Sequence, residues 1–189
     1  ILATGVTPRA LDLPGVDNEM VLSYVDVLNG QKAVGHRVAI IGAGGIGFDT
    51  AVFLAHEFGP GDPAKPDIDR WLREWGVDRE PEHDGGLSPA GPEMQSPRQI
   101  TLLQRKPQAL GRNLGLTTGW ALKAELQMKG VEMIGGVTYR KIDGDGLHIT
   151  VDKIDRLIAV DNIVVCAGQE ELRNLQDDLI AAGMKVHVI

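Results

Sequence analysis

Cysteine is almost absent: Cys166 is the only one in 189 residues. An internal disulphide, a thiolate zinc knuckle and an iron–sulfur cluster held by this chain alone are thereby excluded, and a reducing cytoplasm is the expected compartment. No apolar run approaches the roughly 18 residues of a membrane span. The N-terminus, Ile1-Leu2-Ala3-Thr4-Gly5, has no basic segment leading into a hydrophobic one, so neither membrane association nor export is expected. Basic charge is in deficit, 19 Lys and Arg against 26 Asp and Glu, for a net charge of −7. The molecule as a whole therefore has no attraction for nucleic acid or an anionic membrane, and any anion must be met by a local basic cluster. An initiator methionine is also missing, and both ends are apolar and strand-like, which suggests a piece of something longer. Glycine is what the chain has in excess, 24 residues, well above the usual frequency of about 7%. The excess follows no three-residue period, and hydrophobic residues, 43% of the chain, interrupt it throughout. That is a globular chain rich in tight turns, a little over one domain long at roughly 150 residues per domain.

The order of elements points to an α/β fold, a Rossmann-like domain with a parallel sheet and an antiparallel β-meander. Ile1 to Ala3 reads as the end of a buried strand, with Thr4-Gly5 and Pro8 forcing a turn, and Val21 to Leu28 reads as a short helix. Arg37 to Ile41 is a strand too apolar to alternate, as expected where both faces of a parallel sheet are covered. It runs into Gly42-Ala43-Gly44-Gly45, after which Ile46, Thr50, Phe53, Leu54 and Phe58 have helical spacing up to Gly59-Pro60. The next strand, Gln99 to Gln104, comes only after an insertion at residues 59–98. Within the insertion Asp67 is expected to cap a helix that places Ile68, Trp71, Leu72 and Trp75 in a small core, followed by proline-rich loop. A helix over Thr117 to Lys129 leads to a strand at Val131 to Ile134. Three strands follow, Val137 to Ile142, Leu147 to Val151 and Leu157 to Val160, with turns at Gly144-Asp145-Gly146 and Lys153-Ile154-Asp155. Ile163 to Cys166 is a further buried strand, and Leu172 to Ala182 a helix feeding a strand at Val186 to Ile189.

Gly42-Ala43-Gly44-Gly45-Ile46-Gly47 has G-x-G-x-x-G spacing and stands where that motif needs to stand, between a buried strand and a helix. Gly42 permits the tight turn, Gly44 lets a pyrophosphate approach the backbone, and Gly47 lets the helix pack on the sheet. A nucleoside-triphosphate loop is excluded, since Phe48-Asp49 stands where Lys-Ser/Thr would follow. The second strand speaks to the nucleotide. An NAD site carries Asp or Glu at its end for the ribose 2′-hydroxyl, whereas this strand ends Gln104-Arg105-Lys106. Basic groups there suit a 2′-phosphate, with charge-assisted hydrogen bonds of about 1.5–3 kcal/mol each. NADPH is thus the expected cofactor, with Arg112 a third cation and Asp49 a further candidate contact; NADH or FAD in the Gly42 site, and an ordinary solvated Arg-Lys pair, remain alternatives. The five histidines are scattered without metal spacing, no nucleophile motif occurs, and no residue is assigned as a catalytic acid or base. Cys166 reads as an inert buried thiol.

Several segments are similar, in order, to one family. Ala3-Thr4-Gly5 with Pro8-Arg9, the Gly42 to Gly47 turn, the meander and Cys166-Ala167-Gly168-Gln169-Glu170 resemble flavoprotein reductases with two dinucleotide domains, in which an NAD(P)H domain is inserted into an FAD domain. Leu22-Ser23-Tyr24, Gly86-Leu87-Ser88-Pro89, Ser96-Pro97-Arg98-Gln99, Leu103-Gln104-Arg105-Lys106 and Thr117-Thr118-Gly119-Trp120 are similar to the C-terminal half of the bacterial 2,4-dienoyl-CoA reductases. These belong to the NADH:flavin oxidoreductase group related to old yellow enzyme. The resemblance implies a longer enzyme of fatty acid β-oxidation with an FMN-carrying barrel, a 4Fe–4S cluster and an FAD plus NADPH half; hydride passes from NADPH to FAD, and electrons go on through the cluster to FMN. It further implies that residues 15–170 are the NADPH domain, that residues 1–14 and 171–189 are stubs of the FAD domain, and that Ala167-Gly168 lies near the nicotinamide. The partners would be the FAD and FMN-barrel domains of the same polypeptide, and this chain alone would bind without turnover. The chain departs from the family at Glu171-Leu172, where relatives carry Pro-Asn. A noncatalytic regulatory or assembly module that merely binds a dinucleotide is the alternative from another class.

Overall fold

Val38, Ala39, Ile40 and Ile41 are all buried because their strand has a layer on each face. The computed structural model describes residues 1–56, 68–80, 83–92 and 94–189. In chain order it contains β1 (Val6–Pro8), β2 (Val21–Ser23), α1 (Tyr24–Leu28), β3 (Arg37–Ile41), α2 (Gly45–Leu54), α3 (Ile68–Glu74), β4 (Gln99–Leu103) and α4 (Gly119–Met128). Then follow β5 (Glu132–Ile134), β6 (Thr138–Asp143), β7 (Gly146–Val151), β8 (Ile154–Ile158), β9 (Asn162–Val165), β10 (Gln169–Glu171) and α5 (Gln176–Ala181). A five-stranded parallel sheet runs β2-β9-β3-β4-β5, a three-stranded antiparallel sheet β6-β7-β8, and β1 pairs antiparallel with β10.

Alternate residues of β3 serve different layers. Val38 and Ile40 pack with Phe48, Ala51 and Leu54 of α2 and Leu126 of α4, while Ala39 and Ile41 pack with Ile142, Leu147, Ile149 and Ile158 of the meander. Fully buried aliphatic or aromatic side chains such as Phe48, Ile40 and Leu147 each contribute about 1.5–3 kcal/mol. The helices thus cover one face of the parallel sheet and the meander the other. From β3 the chain steps outward to β4 and β5, whereas β9 lies on the other side of β3. The gap beside the ends of β3 and β9 is a topological switch point, where sheets of this kind hold ligands.

Several boundaries differ from the sequence reading. Val21 to Leu28 is not one helix: Val21–Ser23 pair with β9, and the Ser23 hydroxyl then caps α1 by accepting from Val25 N at 3.2 Å. Pro8 does not force a turn but ends β1, its missing N–H being harmless on an edge strand. The second meander turn is Asp152-Lys153, both at positive φ, so Ile154 and Asp155 belong to β8. The final helix starts at Gln176 because Gln169–Glu171 are drawn into pairing with β1, and the expected strand at the C-terminus is a single bridge between Leu2 and Val188. In the insertion, α3 buries none of its residues, and Trp71 stays 54% exposed beside Trp75, so no small core forms there among the described residues. The expected cap at Asp67 and helix end at Phe58 and Gly59-Pro60 lie outside the described residues. No helix among the described residues is long and apolar enough to cross a membrane.

Candidate functional site

Three turns meet at the C-terminal edge of the parallel sheet because the strands that deliver them are in register: Ile41 lies opposite both Leu103 and Val165. They enclose a cleft of about 750 Å³. Gly42, Ala43, Gly44, Gly45 and Ile46 form one wall, Gln104, Arg105, Lys106 and Arg112 another, and Cys166, Ala167, Gly168 and Gln169 the third. Ten of the twelve residues singled out from the sequence thus line one cavity, and Gly47 and Asp49 do not.

The glycine turn is held by its backbone. Gly42 N donates to Leu103 O at 2.9 Å, and Cys166 N to Ile41 O at 2.8 Å. Gly42 has φ of +112°, and a Cβ there would overlap the Cys166 carbonyl. Gly47 is buried, and a Cβ on it would overlap the Gly42 carbonyl, so the missing side chain is what lets the helix pack against the turn. Gly44 and Gly45 differ: a Cβ on either would meet nothing within 4 Å. Their outer side is open space at the start of a ten-residue helix whose first intrahelical bond is Phe48 N to Gly44 O at 3.0 Å. The N–H groups of Gly45, Ile46 and Gly47 have no partner one turn back, and the helix dipole adds partial positive charge there. Such an N-terminus accommodates phosphate oxygens. Asp49 is exposed on the helix beyond the turn, outside the cleft.

The second wall is cationic. Arg105, Lys106 and Arg112 are exposed and form no ion pair among the described residues, although Arg9, Arg37, Arg70, Arg79, Arg156 and Arg173 all do. Unpaired cations on one rim of a net-negative chain form a local basic cluster of the kind an anionic ligand would require. Burial pushes the nearby Tyr139 phenol well above its ordinary value, with the Arg105 charge opposing the rise. Gln104, which the sequence reading used only as the end of a strand, spans this wall: its side chain donates to Lys106 O and Gln108 O, both at 2.9 Å. Nothing in its spacing announced that role.

The third wall is the turn after β9. Gly168, at φ of +118°, sits against the guanidinium of Arg9, whose backbone N donates to Gly168 O at 3.0 Å. Gln169 Nε2 donates to Tyr24 Oη at 3.1 Å. Cys166 is buried beside Thr50, and burial pushes its thiol up to about 11, which keeps it protonated and unreactive at neutral pH. Two other hollows, of about 730 and 570 Å³, lie beside α3 and the meander. Neither opens on the start of a helix of more than seven residues, and their cations are partly neutralised, Arg70 by Glu74, Lys141 by Asp143 and Arg156 by Glu132. Among the described residues no cluster of His, Cys, Asp and Glu could hold a metal ion.

Sheet order, switch-point cleft and glycine turn define a Rossmann-type α/β domain. The chain belongs to the pyridine nucleotide-disulphide oxidoreductase family, whose model matches residues 1–187. It is thereby an oxidoreductase domain of a family that depends on flavin and pyridine nucleotide. It is 26% identical over 179 residues to a metal reductase of Desulforamulus reducens, covering 95% of this chain and 25% of that protein. It is 24% identical over 196 residues to a mercuric reductase of Staphylococcus aureus, covering 100% of this chain and 28% of that protein. The chain therefore spans about a quarter of the length of the curated relatives it matches. The solved structure of a 2-naphthoyl-CoA reductase complex shares the fold, with a TM-score of 0.66 at 20% identity over 93% of this chain and 21% of that one.

Proposed function

We propose that this chain is the NADPH-binding module of a multi-cofactor flavoprotein oxidoreductase resembling 2,4-dienoyl-CoA reductase, passing hydride from NADPH to FAD in the full-length enzyme. The observation that carries the reading is the single cleft in which an open helix N-terminus, three unpaired cations and the turn after β9 face one another. Ala43, Gly44, Gly45 and Ile46 would take the pyrophosphate on backbone N–H groups, and the open space over Gly44 and Gly45 fits that group. Arg105 and Lys106, with Arg112, would take the 2′-phosphate, for which charge-assisted hydrogen bonds favour NADPH over NADH by about ten- to a hundredfold. Ala167 and Gly168 would border the nicotinamide end. When bound, the reduced nicotinamide supplies a hydride to flavin; this chain's residues bind and orient, and none acts as acid or base.

One buried cysteine cannot supply four thiolates, so a 4Fe–4S cluster, like FMN and most of the FAD site, would belong to other segments of the polypeptide. The relatives' greater length supports such partner domains, and a lone thiol suits the cytoplasm. The test is single-turnover flavin reduction in the full-length protein, with wild type and Arg105→Ala. NADPH should bleach the flavin faster than NADH, and Arg105→Ala should erase most of that difference. A flavin that stays oxidised with either coenzyme would instead favour a noncatalytic module.

A further inference from the structure

We infer that Gln104 sets coenzyme selectivity, as a positioning residue that holds the basic loop in its phosphate-accepting shape. The inference rests on the 2′-phosphate reading above and adds a residue that touches neither phosphate nor ribose.

Gln104 is the first residue after β4, where NADH-selective domains carry a carboxylate that accepts from the ribose 2′-hydroxyl. Here the side chain turns back on its own loop and faces two carbonyl oxygens, Lys106 O and Gln108 O, each at 2.9 Å. Only the amide nitrogen, with two N–H donors, can stand between two acceptors, so the orientation of the amide is fixed by its partners. The backbone of Gln104 is held as well: its N donates to Ile134 O at 2.9 Å, and its O accepts from Val137 N at 3.0 Å. Lys106 O receives a further bond from Gly136 N at 3.0 Å. A Cβ on Gly135 would stand 3.3 Å from both Lys106 O and Gln108 O, so the loop rests closely on that glycine. Arg105 is thereby carried between two pinned residues and Lys106 is itself pinned, which leaves both cationic side chains directed outward into solvent at the cleft rim.

A glutamate at this position has no proton to donate and would face two carbonyl oxygens. It would leave them for the cleft, where it accepts from a 2′-hydroxyl and repels a 2′-phosphate. A methionine keeps the length and volume but offers no donor, releasing the loop without adding charge. One side chain thus decides both whether the cations are presented and whether an acid competes with them.

Adenosine 2′,5′-bisphosphate and AMP differ only by the 2′-phosphate, and calorimetric titration of the purified protein with each, at fixed ionic strength, separates the possibilities. Wild type should prefer the bisphosphate by about tenfold or more. Gln104→Met should cut that preference at least about fivefold while AMP affinity stays within about twofold, and Gln104→Glu should bring the ratio to about one or below. A wild-type preference that survives unchanged in Gln104→Met, or in both variants, overturns the inference and leaves the 2′-phosphate reading standing. Equal weakening of both ligands in Gln104→Met shows a merely structural role and also overturns it. Should Gln104→Met unfold, as a thermal melt would show, Gln104→Leu takes its place, since it too offers no donor and adds no charge, and the same outcomes decide. Equal affinities in wild type overturn the reading and the inference together.

Discussion

The two main walls of the cleft are built on opposite principles. The glycine turn is backbone, locked by packing: Gly42 abuts the Cys166 carbonyl and Gly47 abuts Gly42, so its shape exists before any ligand arrives. The basic loop is side chain and exposed, and its shape depends on one amide, Gln104, and on the glycines beneath it. On the proposed reading, the first wall would seat what every dinucleotide shares, the pyrophosphate. The second would meet what distinguishes dinucleotides, the 2′-phosphate. Changes in the glycine wall should therefore alter folding or affinity for both coenzymes alike, whereas changes in the basic wall should alter only their ratio.

The largest expected effect is on stability. Gly47→Ala places a methyl group on the Gly42 carbonyl in a buried helix turn, which should cost about 3 kcal/mol or more and lower the midpoint of thermal unfolding by several degrees. Next, Arg105→Ala should lower NADPH affinity by about ten- to a hundredfold with NADH affinity unchanged, measured by fluorescence titration. Gly44→Ala should weaken NADPH and NADH by a common factor of about ten, because its methyl group fills the space a phosphate enters. Its helix-capping cost should stay under about 1 kcal/mol. A variant that altered the coenzyme ratio instead would break the division between the walls.

The smallest effect lies at the far edge of the sheet and serves as a control. Asp161 accepts from the Arg37 guanidinium at 2.6 Å and from Arg37 N at 2.8 Å, which holds its carboxyl down at about 2. The ionised form is favoured in the folded state, so this stabilisation is complete above about pH 4, the ordinary carboxylate range, and is lost as pH falls toward 2. Melting temperatures should decline less steeply across that window in Asp161→Asn than in wild type, with coenzyme affinity at neutral pH unchanged in the variant.

The glycine wall was legible in the sequence and the basic wall only half so. Three glycines at fixed spacing between an apolar strand and a helix predicted the turn, and β3 and β9 announced themselves by the apolar runs Val38–Ile41 and Ile163–Val165, while β4 showed through its flanking Ile100 and Leu102-Leu103 around Thr101. Arg105 and Lys106 were visible as charges, yet Gln104 was not visible as their clamp, because its partners are backbone carbonyls of a loop whose path no pattern encodes. Pairing of β1 with β10 was hidden for a related reason: Gln169–Glu171 carry no strand pattern and meet Val6–Pro8 across most of the chain. Val21–Ser23 failed differently. Its apolar run is short enough for either element, and the cap at Ser23 was the signal that divides strand from helix. Gly47 does what its place in the motif predicts, letting the helix pack closely, whereas Asp49, a candidate contact from its position one turn into the helix, stands exposed outside the cleft lining.

The central claim is that one cleft joins a pyrophosphate seat to a 2′-phosphate seat. The most direct measurement is the ratio of NADH to NADPH dissociation constants for the wild-type protein, titrated side by side at one ionic strength. A ratio of about ten or more, falling toward one as salt screens the cations, is predicted. Equal dissociation constants at low salt would contradict the account.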